Sequence, residues 1–141
     1  MIEKTVICII YNNKQVLLQL RDNNKNIIFP NKWGFFGGKI NNCETHLEAV
    51  KREMFEELNI NNFNKLKFIN TYFDNKTRNL FFIYIHKLLN ENLVLKEGAD
   101  CNLFKSYEFL KKKKSKKIGK IFEFADKRLM KIFMSQAKRF L

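Results

Sequence analysis

Residues 37–60 read GGKINNCETHLEAVKREMFEELNI and hold five of the chain's fourteen acidic residues, although the whole chain carries a formal charge of +13. Within this stretch Thr45-His46-Leu47-Glu48 fits a capping box, in which a Thr hydroxyl and the Glu three residues on satisfy each other's free N–H groups. A helix is therefore expected from about Thr45. Leu47, Val50, Met54 and Leu58 recur at helical spacing and are expected to face the core. Asn59 stands where a left-handed residue ends a helix. At about 100° per residue, Glu53, Glu56 and Glu57 share one sector of that helix. Like charges three and four residues apart repel, and a divalent cation would offset the repulsion. Clustered carboxylates are the ligand set of Mg²⁺ or Mn²⁺, and no His–Cys cluster offers a site for zinc.

Outward from this segment, TVICIIY (5–11) and KQVLLQLR (14–21) read as strands of a hairpin turned at "NNK". A loop closed by Pro30 leads to a short aromatic strand, WGFF (33–36). FNKLKFINTYF (63–73) and RNLFFIYIHKLL (78–89) read as strands joined by a "DNKT" turn, and CNLFKSY (101–107) as another. From Ile118 the chain is expected to be helical, with Ile121, Phe122, Ala125, Leu129, Ile132, Phe133, Ala137 and Phe140 forming an apolar stripe that packs on the sheet. Strands on both sides of a helix, with a second helix at the end, imply an α/β layered domain. The expected organisation is one domain over residues 1–141.

Composition narrows the function classes. Fifteen Phe imply an aromatic core, while one Pro and five Gly argue against a long linker. No stretch approaches the roughly 18 apolar residues that span a bilayer, and MIEKTVICIIYNNK reads as a first strand rather than a signal peptide. Cys8, Cys43 and Cys101 show no CxxC spacing, which suits a reduced, cytoplasmic chain. The run KKKKSKK (111–117) contributes +6 and reads first as a solvated loop, with RNA binding as its competitor. A basic surface also attracts polyphosphate.

From Gly38 the segment runs Gly, five residues, Glu44, seven residues, then Arg52-Glu53-Met54-Phe55-Glu56-Glu57-Leu58-Asn59-Ile60. This resembles the Nudix box, G-x5-E-x7-REUxEExGU with U a bulky aliphatic residue. Eight of its nine specified positions match; Asn59 replaces the usual Gly. The box spans residues 38–60. Looser likeness extends to the lead-in LLQLRD…FPNKWGFFGGKI and to KEG at 96–98, where MutT-type nucleoside triphosphate hydrolases carry a metal-associated glutamate.

The resemblance implies a Nudix-like α/β/α sandwich, a mixed sheet between helices, and hydrolysis of a nucleoside diphosphate linked to another group. It implies Mg²⁺ or Mn²⁺ held by Glu53, Glu56, Glu57 and the Gly38 carbonyl. Glu53 becomes the leading general base and Glu97 the runner-up or an outer metal ligand. Arg52 orients Glu53, and Glu44 is structural. Arg21, Phe35, Arg78 and Asp126 become the candidate substrate contacts, with Phe36 and Phe73 as further aromatic candidates. Markers of the ADP-ribose and diadenosine polyphosphate groups are absent downstream of the box. A nucleoside triphosphate, standard or oxidised, is thus the leading substrate class. Nucleotide sugars, 5′-triphosphate RNA and a non-catalytic sensing or RNA-binding role are the alternatives. A monomer or homodimer acting on a nucleotide, away from membranes, is expected.

Overall fold

The strand at the centre of the fold is apolar on both faces because helices cover both sides of it. The computed structural model describes residues 1–24, 26–27, 29–89, 93–105 and 113–141. Its elements are β1 (Glu3–Asn12), β2 (Gln15–Leu20), β3 (Trp33–Gly34), β4 (Phe36–Lys39), α1 (His46–Leu58), β5 (Leu66–Asp74), β6 (Asn79–Lys87), β7 (Asp100–Lys105), β8 (Lys113–Lys114), β9 (Ile121–Phe122) and α2 (Lys127–Ala137). A 3₁₀ turn, Lys138–Phe140, closes the chain.

The main sheet runs β3-β2-β1-β6-β5, with β4 also paired to β1 and β7 to β2. β1 and β6 are parallel from Glu3↔Asn79 to Tyr11↔Lys87, and the other pairings of this sheet are antiparallel. The period-2 alternation of strands divides β1 cleanly. Val6, Cys8 and Ile10 pack with Ala49, Val50, Met54 and Leu58 of α1. Ile9 lies on the other face with Leu129, Met130, Phe133, Met134 and Ala137 of α2. The architecture is the expected mixed sheet between helices.

Several local expectations are corrected. Leu47 is 43% exposed, because the second residue of α1 lies on its solvent side. The helix expected from Ile118 begins only at Lys127, capped by the Asp126 carboxylate, which accepts a hydrogen bond from the Leu129 N–H at 3.1 Å. Ile121 and Phe122 form β9 instead, paired with β8. The apolar stripe continued across a strand and a turn before any helix began. WGFF is split into β3 and β4. The end of the expected strand 101–107 and the start of the Lys run lie outside the described residues.

The ends of α1 form as expected. Thr45 Oγ1 accepts from the Glu48 N–H and Glu48 Oε1 accepts from the Thr45 N–H, each at 3.1 Å. Asn59 takes φ 60°, ψ 27°. A Gly has no Cβ penalty in that conformation, so Asn59→Gly is expected to raise Tm by about 2 °C, corresponding to roughly 0.5 kcal/mol. A thermal melt checks it.

Candidate metal and catalytic site

Glu53 and Glu57 of α1 point at the junction of β2, β4 and the segment entering β7. Glu57, 2% exposed, accepts hydrogen bonds from Gln19 Nε2 at 3.0 Å and from the Gly37 N–H at 3.2 Å. β2 and β4 thus hold its two oxygens in place. The sequence reading missed Gln19. The available signal was a polar residue in the apolar run QVLLQL, at a position sharing a face with Leu17.

Gly37 and Gly38 bring β4 close. Gly37 has φ 142°, and a Cβ there would collide with the Val6 carbonyl oxygen. A Cβ on Gly38 would fall on the Glu53 carboxylate. Only a residue without Cβ lets the backbone reach this carboxylate.

Glu97 completes the group. Val94 N–H donates to the Leu58 carbonyl at 3.2 Å, and Lys96 N–H to the Glu57 carbonyl at 2.8 Å. These bonds use carbonyls left free at the end of α1. They place Glu97 so that one oxygen each of Glu53, Glu57 and Glu97 lie within 4.8 Å of one another.

Glu56 is not in this trio. It is exposed and meets Arg52 Nη1 at 3.3 Å. Arg52 organises the rim: it donates through Nε and Nη2 to both oxygens of Glu44 at 2.7 and 3.0 Å, through Nη1 to Glu53 Oε1 at 2.9 Å, and through Nη2 to the Lys39 carbonyl at 3.0 Å. Such a charge-assisted fork fixes the Glu53 carboxylate.

The site is electrostatically loaded. Burial raises the pKa of Glu57 well above the usual carboxylate range, and the adjoining Glu53 raises it further. Burial also raises Glu53, against the pull of its hydrogen bonds to Glu57 and Arg52. Two carboxylates so close retain a proton unless a cation replaces it. The donor set is three carboxylates with neither sulfur nor imidazole, and it fits a hard, oxygen-preferring divalent cation.

The substrate candidates separate. Arg21 follows β2, and its Nε is buried without a hydrogen-bond partner. Phe35 is 8% exposed and packs edge-on to Phe133 at 6.1 Å, so it belongs to the core under α2 rather than to a base-stacking surface. Phe36 is fully buried beneath α1. Arg78 is exposed in the β5–β6 turn, 5.6 Å from the centre of the Phe73 ring. Asp126 is committed to capping α2, on the face of the sheet opposite α1. None of Phe35, Arg78 and Asp126 meets the carboxylate trio.

This geometry is accompanied by a family match: the NUDIX domain model covers residues 1–123. The chain belongs to the NUDIX domain family.

The MutT protein from Methanosarcina mazei Go1 is 20% identical, with 97% of this chain and 94% of that one covered at a TM-score of 0.67. The NUDIX domain of Shewanella oneidensis NrtR, solved with ADP ribose, is 17% identical over 100% of this chain and 90% of that one, with a TM-score of 0.71. A MutT/nudix family protein from Enterococcus faecalis is 22% identical over 74% of this chain but only 44% of its own length, with a TM-score of 0.61. The chain therefore spans less than half of that last protein. No curated protein matches it. Among the described residues no helix is long and apolar enough to cross a membrane.

Proposed function

We propose that this NUDIX protein is a metal-dependent pyrophosphohydrolase that cleaves a nucleoside triphosphate, standard or oxidised, to the monophosphate and pyrophosphate. The observation that carries the reading is the meeting of Glu53, Glu57 and Glu97, with Glu57 clamped between Gln19 and Gly37. Glu53, Glu57 and Glu97, with Glu56 at the rim and the Gly38 backbone alongside, would hold Mg²⁺ or Mn²⁺. Once bound, that ion neutralises polyphosphate charge and acidifies the attacking water.

The remaining roles fall to the chain itself. Glu53 accepts the proton of the water attacking phosphorus. Burial raises its proton affinity toward the range a general base needs, and Arg52 holds its carboxylate in one orientation. Glu97 is the second candidate for the base. Arg21 presents a buried, unpartnered N–H donor suited to a phosphate oxygen.

A panel of standard and oxidised nucleoside triphosphates, nucleotide sugars, diadenosine polyphosphates and 5′-triphosphate RNA, assayed with Mg²⁺ or Mn²⁺, tests the reading. Release of pyrophosphate and monophosphate from the triphosphates is expected. Exclusive turnover of another class would replace the substrate assignment. No turnover of any class would remove the catalytic one.

The raised carboxylates yield a second test. The folded-state pKa values of Glu53 and Glu57 lie above the unfolded value of about 4.3. The stability they contribute in the absence of a cation is full below that value and is lost as pH rises through the folded values. A cation replacing the proton removes this loss. Mn²⁺ is therefore expected to raise Tm several degrees more at pH 8 than at pH 5.5. An equal gain at both pH values would show that these carboxylates are not the ligands.

A further inference from the structure

A β-bulge in β5 turns two consecutive residues toward α2. Phe68 stands on the α1 face, its ring 5.2 Å from that of Tyr84. Strict alternation would put Asn70 on that face too. The pairing with β6 instead shifts register between Phe68 and Asn70, and Ile69 packs with the cluster under α2. Asn70 then donates from Nδ2 to Gln136 Oε1 of α2 at 2.8 Å. Bulges recur where a strand re-aims side chains for function. Here the result is an open cleft of about 730 Å³, lined by Ile69, Asn70, Ser135, Gln136, Lys138 and Arg139.

Cations gather at this cleft. Lys67 Nζ lies 5.3 Å and the Arg139 guanidinium 4.9 Å from the centre of the Phe140 ring, so one aromatic side chain steadies both. Residues 127–141 hold five basic side chains and no acidic one, and residues 61–73 add Lys65 and Lys67, again without an acid. Asp74 and Asp126 neutralise Arg128. Among the described residues no carboxylate pairs with Lys67, Lys138 or Arg139. Gln136, its oxygen engaged by Asn70, keeps its amide N–H₂ as a further donor. The carboxylate trio adjoins β2 and β4 on the α1 side, whereas the cleft lies on the α2 side at β5, the far end of the sheet.

We propose that the cleft between β5 and the end of α2 binds a single strand of nucleic acid, with Lys67, Lys138 and Arg139 on its phosphates and Asn70 and Gln136 on its polar edges. This surface is independent of the reading given under Proposed function. Several cations set along an open cleft suit the repeated charge of a strand better than one small anion. A cleft of this size is on the scale of a small-molecule site and admits a strand but not a duplex. An anionic membrane fits less well, because the apolar side of α2, with Leu129, Phe133, Met134 and Ala137, is buried against the sheet and leaves nothing to insert. The Lys run is the competing site. Its described end is a turn held by Ser115 Oγ, which donates to Asp100 Oδ2 at 2.6 Å, and Lys116 and Lys117 are exposed there.

Anisotropy of a 3′-labelled, 5′-hydroxyl oligouridylate of about twelve nucleotides, titrated in EDTA across a salt series, measures the binding. Without metal or a terminal phosphate the trio has nothing to engage. Lys138→Gln/Arg139→Gln is expected to weaken binding about tenfold near 0.1 M salt and to reduce the slope of log K against log salt by about 1.4, as for two phosphate contacts. Gln136→Glu keeps the acceptor for Asn70 but adds a carboxylate to the cleft, and should weaken binding about fivefold. Lys116→Gln/Lys117→Gln removes two charges elsewhere and should stay within about twofold of wild type. Circular dichroism confirms that each variant is folded. No binding by wild type at about 0.05 M salt overturns the proposal. So does an equal loss in the Lys116/Lys117 pair, which would assign binding to overall charge or to the Lys run. Cleft variants that bind the oligonucleotide normally but lose binding to phosphatidylglycerol vesicles would overturn it in favour of a membrane.

Discussion

Glu57→Gln is expected to lower kcat for triphosphate hydrolysis by roughly a thousandfold, about 4 kcal/mol of transition-state stabilisation, without unfolding the protein. The amide keeps an oxygen for the Gln19 or Gly37 donor but loses the charge that a divalent ion needs. Without a cation, the variant also removes a buried ionisable group whose ionisation is unfavourable. Its Tm at pH 8 without metal should therefore equal or exceed that of wild type, while the Tm gain on adding Mn²⁺ shrinks. Glu56→Gln provides the contrast. Glu56 is exposed and touches Arg52 rather than the trio, so its loss should reduce kcat by only about tenfold. Parallel kinetics and melts separate the two, and a Glu57→Gln enzyme with near-normal kcat would sink the metal assignment.

Gly37→Ala is the second large effect, and it is a folding effect. The new Cβ would overlap the Val6 carbonyl at φ 142°, and backbone, not a flexible side chain, is what it meets. Relief requires β4 to move off β1, where Gly37 pairs with Ile7, and to draw its N–H away from Glu57. A loss of about 3 kcal/mol or more is expected, lowering Tm by roughly 10 °C. Chemical denaturation measures it directly. Metal affinity should fall along with stability, because the same amide serves the carboxylate.

Particular residues show what the sequence made legible. Both ends of α1 could be read because caps are local chemistry: Thr45, Glu48 and Asn59 each act within one turn. Glu53 and Glu57 followed from helical spacing, and Glu97 from the KEG resemblance. That Glu97 meets the other two while Glu56 does not depends on two backbone bonds from a distant segment to the end of α1, and spacing along the chain cannot show this. Gln19 and Asp100 were hidden for the same reason, since their partners, Glu57 and Ser115, come from other elements. The C-terminal helix was placed too early because apolar periodicity crosses β9 without a break. Asp126 held the better signal, as a capping residue directly before Lys127. Fifteen Phe leave Phe35 divided on sequence between a stacking role and the core, and burial against Phe133 assigns it to the core.

The parallel pairing of β1 with β6 also governs the order in which the molecule can come into being. Glu3 meets Asn79 and Tyr11 meets Lys87, so the central strand waits for a partner made long after it leaves the ribosome. A pairing of such high contact order closes late. Until it does, α1 has only part of a floor, and the segment carrying Glu97, later still in the chain, has yet to dock on the end of α1. A nascent chain thus exposes Glu53 and Glu57 as ordinary solvated carboxylates. Assembly of the carboxylate trio is consequently a late event in the life of the chain, coincident with completion of the sheet.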